Sequence, residues 1–96
     1  MFILITYDVE TVSPEGQKRL RQVARQCKNY GLRVQNSVFE CEVTEVQFIQ
    51  LKDILNSIID PTDDSIRFYF LNKNQNRRVI CLGKNDKPDI EQPIIL

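Results

Sequence analysis

The 96-residue sequence contains no histidine and no tryptophan, and it has only three cysteines and three glycines. The lack of histidine excludes Ser-His and Cys-His catalytic pairs and His-rich zinc sites. The cysteines form no Cys-x-x-Cys pair, so we interpret Cys27, Cys41 and Cys81 as small apolar residues rather than metal ligands or nucleophiles. No glycine-rich phosphate-binding loop is present either. What remains for catalysis is the chemistry of carboxylates.

Net charge and long hydrophobic runs are also absent. Thirteen basic and thirteen acidic residues give a formal net charge of zero, so only the distribution of charge can indicate a partner. No apolar run reaches the roughly 20 residues of a membrane-spanning helix. No basic segment precedes the apolar N-terminus, as it would in a signal peptide. We therefore expect a single-domain cytoplasmic protein without a membrane segment.

The strongest pattern that is present is the nearly continuous apolar run of residues 2–9, Phe-Ile-Leu-Ile-Thr-Tyr-Asp-Val. Its short length, β-branched content and lack of helical spacing predict a β-strand covered on both faces, and therefore a central strand. Asp8 comes at the end of this strand, where a polar loop begins. A carboxylate in that position is held by the sheet and still meets solvent or a metal ion.

The rest of the chain predicts two helices and further strands. Ser13 and Pro14 have the cap and first-turn character that begins a helix, which we expect to extend to about residue 29. Thr44 and Gln47 fit a capping box, which opens a second helix to about residue 59. Further strands are expected within residues 32–43, 66–71 and 79–82.

The alternation within residues 32–43 changes phase along the segment. Leu32 and Val34 are the apolar positions of its first half, whereas Phe39 and Cys41 are those of its second half. A half-buried strand keeps one phase, so we predict a hairpin that turns at Asn36-Ser37, because Asn tolerates the left-handed conformation of a two-residue turn. A single strand with a bulge is the alternative.

This order of elements predicts an α+β, ferredoxin-like βαββαβ fold with an extra short C-terminal strand. Its sheet is antiparallel, and right-handed crossovers place both helices on one face. The first strand is apolar on its other face too, and soluble monomers rarely expose such a patch, so we predict a two-fold homodimer packed sheet to sheet. We assign residues 1–83 to the domain and residues 84–96 to a tail, and expect the last strand and the tail to reach the partner.

Asp8 shares its strand face with Thr6, Leu4 and Phe2. If that face meets the partner, the two-fold axis brings two Asp8 carboxylates together. Two carboxylates with retained waters suit Mg²⁺, or Mn²⁺, which polarises a phosphoryl oxygen and lowers the pKa of bound water. The alternative is that Asp8 is a turn or cap residue without a catalytic role.

Basic residues are concentrated on one helix face and near it. Lys18, Arg21, Arg25 and Lys28 follow helical spacing in the first predicted helix. With nearby basic residues they could contact nucleic-acid phosphates; those residues are Arg19, Arg33, Arg77 and Arg78. The alternative is a solvated face whose charges only favour solubility.

Several segments together resemble one family. They are residues 3–9, the basic helix, Gly31 to Arg33, residues 34–41 (Val-Gln-Asn-Ser-Val-Phe-Glu-Cys) and residues 65–69 (Ser-Ile-Arg-Phe-Tyr). In this order, over roughly residues 1–83, they resemble the small CRISPR-associated Cas2 (Cas-two) proteins. The sequence differs from many members at residues 72–76, where those carry a cysteine pair, and in its proline-bearing tail.

The resemblance implies a ferredoxin-like homodimer that bridges Cas1 (Cas-one) integrase dimers when CRISPR spacers are captured and integrated. It also implies a metal-dependent endonuclease of antiviral defence that acts on RNA or double-stranded DNA, with Asp8 as the Mg²⁺ ligand. By the same resemblance Tyr7 is a catalytic candidate beside Asp8, and Ser37 and Phe39 lie near the site.

Three functions of different classes follow for testing. In the first, Asp8 of both chains holds a metal ion and the protein hydrolyses phosphodiester bonds. In the second, the protein is a non-catalytic DNA-binding scaffold and Asp8 is structural. The third, a regulatory module that binds a small ligand, is disfavoured by the basic helix face and by the lack of a pocket-forming loop signature.

Overall fold

The structure is a computed structural model that describes residues 1–71 and 79–84. The predictions for Arg77, Arg78, residues 72–76 and the tail beyond residue 84 therefore lie outside the described residues. The elements in chain order are β1 (Phe2–Asp8), α1 (Pro14–Lys28), β2 (Gly31–Gln35), β3 (Val38–Glu42), α2 (Glu45–Ile58), β4 (Ser65–Phe70) and β5 (Val79–Gly83).

The five described strands form one sheet in the order β2-β3-β1-β4-β5. Each neighbouring pair is antiparallel, and β1 lies at the centre between β3 and β4. The predicted ferredoxin-like α+β fold and the central position of the apolar first strand are both confirmed. β5 pairs with β4 of its own chain and is an edge strand of the sheet. The expectation that this strand and the tail also reach a partner stays a prediction.

Helix α1 begins and ends where the sequence predicts. The Ser13 side chain caps it by accepting a hydrogen bond from the Gly16 N–H at 3.0 Å, and Pro14 occupies the first turn. Val23 and Cys27 are fully buried against the sheet. Gly16 is buried as well. A side chain at this position would collide with the Glu10 carbonyl group, so the close approach requires glycine.

Helix α2 begins at the predicted capping box. The Gln47 N–H donates to Thr44 Oγ1 at 3.1 Å, and the Thr44 N–H donates to Gln47 Oε1 at 2.9 Å. Its apolar side packs Phe48 edge-on against Phe68 and Phe70 of β4, with ring centroids 5.3 and 5.1 Å apart. Such aromatic pairs add to the stability gained by burial alone, so they fix α2 on the sheet.

The hairpin between β2 and β3 turns at the predicted position, but for a different reason. No non-glycine residue in the described part of the chain has a positive φ, so Asn36 does not adopt the left-handed conformation. Instead the register shifts between Arg33, opposite Phe39, and Gln35, opposite Val38. This bulge in β2 supplies the local twist. The predicted hairpin is therefore confirmed, and the alternative of one continuous bulged strand is wrong.

The two faces of the sheet differ in what covers them. The helices cover the face that carries Ile3 and Ile5, which are fully buried. The opposite face, called the open face below, carries Phe2, Leu4, Thr6 and Asp8 of β1 and their cross-strand neighbours. On this face Phe2 and Leu32 are 40% and 70% exposed. Exposed apolar side chains of this size favour a partner surface, and the homodimer itself stays a prediction. Among the described residues, no helix has the length and apolar character needed to span a membrane.

Candidate active site and nucleic-acid interface

Asp8 is the last residue of β1 and is exposed on the open face. It lies opposite Ser65 of β4, and Thr6 precedes it on the same face. In residues 1–71 and 79–84 its carboxylate makes neither a hydrogen bond nor an ion pair. The side chain is therefore held by a central strand and remains available to a ligand.

A second carboxylate, Asp64, fixes the backbone that follows Asp8. Asp64 is fully buried, and its Oδ2 accepts hydrogen bonds from Arg19 Nε at 2.7 Å and from the Asp60 N–H at 2.9 Å. Its Oδ1 accepts from the N–H of Glu10 at 3.0 Å. Burial alone would raise the pKa of Asp64, but the hydrogen bonds from Arg19, Asp60 and Glu10 outweigh it and lower the pKa.

The network continues from Glu10 to the beginning of α1. The Glu10 carboxylate accepts hydrogen bonds from the Ser13 N–H at 2.6 Å and the Ser13 hydroxyl at 2.8 Å, and it lies 3.5 Å from Arg19 Nη2. These bonds from Ser13 lower the pKa of Glu10. One chain of contacts thus joins the beginning of β4, the loop after Asp8 and the cap of α1. Sequence reasoning missed Asp64, because no local pattern marks a partner 45 residues away.

Tyr7 points to the opposite side of the sheet from Asp8. Its ring is buried and stacks with Phe39 at a centroid distance of 6.2 Å, and its hydroxyl donates to the Asn36 carbonyl at 3.1 Å. The Tyr7 N–H donates to the Ser37 carbonyl at 3.1 Å. Burial raises the pKa of the Tyr7 phenol, although a hydrogen bond with Arg33 opposes the shift. The structure therefore brings Tyr7, Ser37 and Phe39 together at the hairpin turn, and the side chains of Tyr7 and Phe39 lie on the opposite face of the sheet from Asp8.

The predicted basic residues fall into two groups. Lys18, Arg21, Arg25 and Lys28 are all exposed, and none is ion-paired within the described residues. We call these four the basic face of α1. Arg19 differs, because its guanidinium is engaged by Asp64 and Glu10. Its role in nucleic-acid binding stays a prediction, but the contacts that the structure gives it are those of the fold.

Arg33 lies apart from the basic face of α1. It is exposed on β2, and its guanidinium carbon stands 5.2 Å from the centroid of the Phe39 ring. That distance is typical of a cation–π contact, so the charge is held beside the hairpin turn. Arg33 therefore belongs with Tyr7 and Phe39 in space.

The donor set for a metal ion is small within one chain. In residues 1–71 and 79–84 no group of three acidic, cysteine or histidine side chains is close enough to hold an ion together. Mg²⁺, however, commonly binds through one or two carboxylates and keeps several waters. The exposed carboxylate of Asp8 fits that requirement in part, and a second Asp8 would complete it.

Comparisons with known proteins settle the family. The profile of the family described as CRISPR associated protein Cas2 matches residues 1–79. The chain belongs to the Cas2 family. A Cas2 relative from Rhodospirillum rubrum, named a CRISPR-associated endoribonuclease, is 53% identical over 98% of this chain and 99% of its own length. A relative from Halalkalibacterium halodurans, named a CRISPR-associated endonuclease, is 52% identical over 99% of both chains.

A solved Cas2 structure agrees with the fold. The crystal structure of Streptococcus pyogenes Cas2 at pH 6.5 is similar with a TM-score of 0.72 and 59% identity, covering 77% of this chain and 89% of that one. The Cas2 resemblance read from the sequence is therefore confirmed, and the matched span includes Asp8, Tyr7 and the basic face of α1.

Proposed function

We propose that this Cas2 protein is a metal-dependent endonuclease that hydrolyses phosphodiester bonds in RNA or double-stranded DNA, within CRISPR spacer acquisition and antiviral defence. The names of the Rhodospirillum rubrum and Halalkalibacterium halodurans relatives, an endoribonuclease and an endonuclease, support the reaction class. The observation that carries the proposal is the exposed Asp8 carboxylate at the end of the central strand.

The active unit in this proposal is a homodimer packed through the open face. Two Asp8 side chains, one from each copy, then hold one Mg²⁺ or Mn²⁺ together with water molecules. When bound, such an ion supplies a polarised phosphoryl oxygen and an activated water. The protein's contribution is a fixed position for each carboxylate, since β1 is paired on both sides and the loop after Asp8 is tied to Asp64.

The other predicted site residues take supporting roles. The basic face of α1 offers four exposed cations to the phosphates of the substrate. Tyr7 acts as a positioning residue, because its phenol is buried and bonded to the Asn36 carbonyl and so holds the hairpin against the end of β1. Arg33 lies over Phe39 at the same turn and can extend the phosphate-binding surface.

The test is cleavage by an Asp8→Asn variant of labelled RNA and duplex DNA, with Mg²⁺ and with a chelator. We expect the variant to lose cleavage while its duplex affinity stays within about threefold of wild type, since the basic face of α1 is untouched. Asp53→Asn, an exposed acid on α2, is the matched control and should cleave normally. Cleavage by Asp8→Asn at the wild-type rate would reject the nuclease.

The second candidate is a non-catalytic scaffold that holds duplex DNA between two Cas1 integrase dimers. Two observations favour it, both made on residues 1–71 and 79–84. No group of three potential metal ligands comes together there, and the basic face of α1 forms no ion pairs. In this case wild type binds duplex DNA but cleaves neither substrate with Mg²⁺. The Asp8→Asn variant then supports Cas1-dependent spacer integration as well as wild type does.

A further inference from the structure

Arg67 is a charged residue in the middle of the open face. It pairs with Thr6 of β1 on one side and with Cys81 of β5 on the other. It is only 7% exposed, and its guanidinium carbon stands 5.7 Å from the centroid of the Tyr69 ring. Its Nε is buried and has no hydrogen-bond partner in the part of the chain that the structure describes. Arginine stays charged at physiological pH, and a buried donor without an acceptor is costly. The residue therefore calls for an acceptor that residues 1–71 and 79–84 of its own chain do not supply.

Two acids of the open face lie near Arg67. Asp8 of β1 comes two residues after Thr6, the cross-strand partner of Arg67, and Glu40 lies on the far side of β1. The Arg67 guanidinium lies beside Tyr69, which is level with Glu40 and away from Asp8. Glu40 of β3 pairs with Leu4, and Leu4 pairs on its other side with Tyr69. The backbone of Glu40 is thus two strand spacings, roughly 10 Å, from the backbone of Tyr69. The Arg67 guanidinium lies beside the Tyr69 ring. Within the described residues, no ion pair joins Glu40 to Arg67. The open face therefore carries a base on one side of β1 and an acid on the other.

A second copy of the chain can join these two charges. A two-fold axis parallel to β1 and above it places β3 of each copy over β4 of the other, so the acid of one meets the base of its partner twice. The same rotation sets each Asp8 opposite its own twin. It also covers the exposed Phe2 and Leu32. One operation therefore brings a carboxylate to the Arg67 guanidinium, hides the apolar surface and assembles the Asp8 pair.

We propose that Arg67 of each copy binds Glu40 of the other, and that these two ion pairs set the register of the face-to-face dimer. The inference rests on the homodimer of the proposed function and assigns the residues that align it. Arg67 and Glu40 are positioning residues in this scheme. They act on catalysis only by aligning the two Asp8 side chains.

The test is a double-mutant cycle on the dimer dissociation constant, measured by analytical ultracentrifugation without metal or nucleic acid. The variants are Arg67→Gln, Glu40→Gln and the two combined. Each single change leaves an unpaired charge in the interface and should raise the constant by about 100-fold or more. The combined variant leaves neither charge, so its dimer dissociation constant should be no larger than that of the more weakly dimerising single variant. Glu42→Gln, on the same strand and face, is the control and should stay within about threefold of wild type.

Two results would overturn the pair. One is additivity, in which the combined variant is weakened by the product of the single effects. The other is a Glu40→Gln variant that dimerises like Glu42→Gln, which decides the matter even if Arg67→Gln fails to fold by circular dichroism. Failure of the pair in a stable dimer leaves the nuclease intact, whereas a coupled pair in a dimer that cleaves nothing rejects the nuclease alone.

Discussion

Asp8 and Asp64 lie at the same end of the sheet, one exposed and the other fully buried. Asp64 immediately precedes Ser65, the cross-strand partner of Asp8. Yet Asp64 accepts hydrogen bonds from one arginine and two backbone N–H groups, whereas Asp8 accepts none within the described residues. The fold thus supplies hydrogen-bond donors to both oxygens of Asp64, whereas it fixes the position of Asp8 without supplying a donor from the described residues. A charge that the fold leaves unsatisfied, at a rigid position, is the one available for function.

The same division separates the basic residues of α1. Arg19 binds Asp64 and Glu10, whereas Arg21 and Arg25 are exposed and make no ion pair in the described part of the chain. The comparison therefore predicts that Asp64 and Arg19 contribute to stability, and that Asp8, Arg21 and Arg25 contribute to binding and catalysis.

The largest effect is expected from Asp64→Ala. Removing a fully buried acceptor leaves the Arg19 guanidinium and two backbone N–H groups without a partner. We expect the free energy of unfolding to fall by about 3 kcal/mol, measured by urea denaturation. Asp63→Ala changes the adjacent exposed acid and should alter it by less than about 0.5 kcal/mol. Equal effects of the two variants would mean that the buried network does not stabilise the fold.

Charge reversal on the basic face of α1 is expected to have the next largest effect. Arg21→Glu combined with Arg25→Glu should weaken duplex binding at least about tenfold and reduce the slope of log affinity against log salt by about 2, because two phosphate contacts are lost. Fluorescence anisotropy at several salt concentrations measures both quantities. Lys52→Glu, on α2, is the control for a single charge change. An unchanged slope would reject this face as the binding surface.

How far the sequence could predict these roles depends on whether a role is local. The apolar run of β1, the Ser13 cap and the capping box of α2 depend on neighbouring residues, so they were predicted and are confirmed. Arg19 and Arg21 are both basic residues of one helix, and nothing in their spacing shows that only Arg19 meets a buried acid. That distinction depends on Asp64, which is 45 residues distant in the chain.

Side-chain direction limited the prediction of the site in a similar way. Tyr7 and Asp8 are adjacent in sequence and were grouped, but successive residues of a strand point to opposite faces. Tyr7 therefore packs with Phe39 among the core residues, and Asp8 lies on the open face. The position of the turn at Asn36 was predicted correctly, but the left-handed conformation predicted for Asn36 is wrong. The register shift in β2 provides the twist instead.

Asp64 should also make the stability of the fold depend on pH, with a smaller effect than the two preceding substitutions. Because the pKa of Asp64 is lower in the folded state than in the unfolded chain, the unfolded state binds more protons as the pH falls. The contribution of Asp64 is thus fully present above the unfolded pKa of about 3.9 and is lost as the pH falls through the folded pKa. Thermal unfolding of wild type should show a steeper loss below about pH 4 than unfolding of Asp64→Asn. The pKa of Glu10 is also lowered, so the stability of the Asp64→Asn variant should still decrease with falling pH, but less steeply than that of wild type.

The smallest effect on stability is expected from Asp8→Asn, and its smallness is informative. The side chain is exposed and accepts no hydrogen bond in the described residues, so the free energy of unfolding should change by less than about 0.5 kcal/mol. In the proposed dimer the two Asp8 carboxylates face each other, so without metal the removal of their charges should relieve repulsion and favour association. Denaturation and ultracentrifugation in a chelator test both points. If Asp8→Asn destabilised the monomer fold as Asp64→Ala does, Asp8 would be a structural residue, and loss of cleavage in that variant would no longer identify a metal ligand.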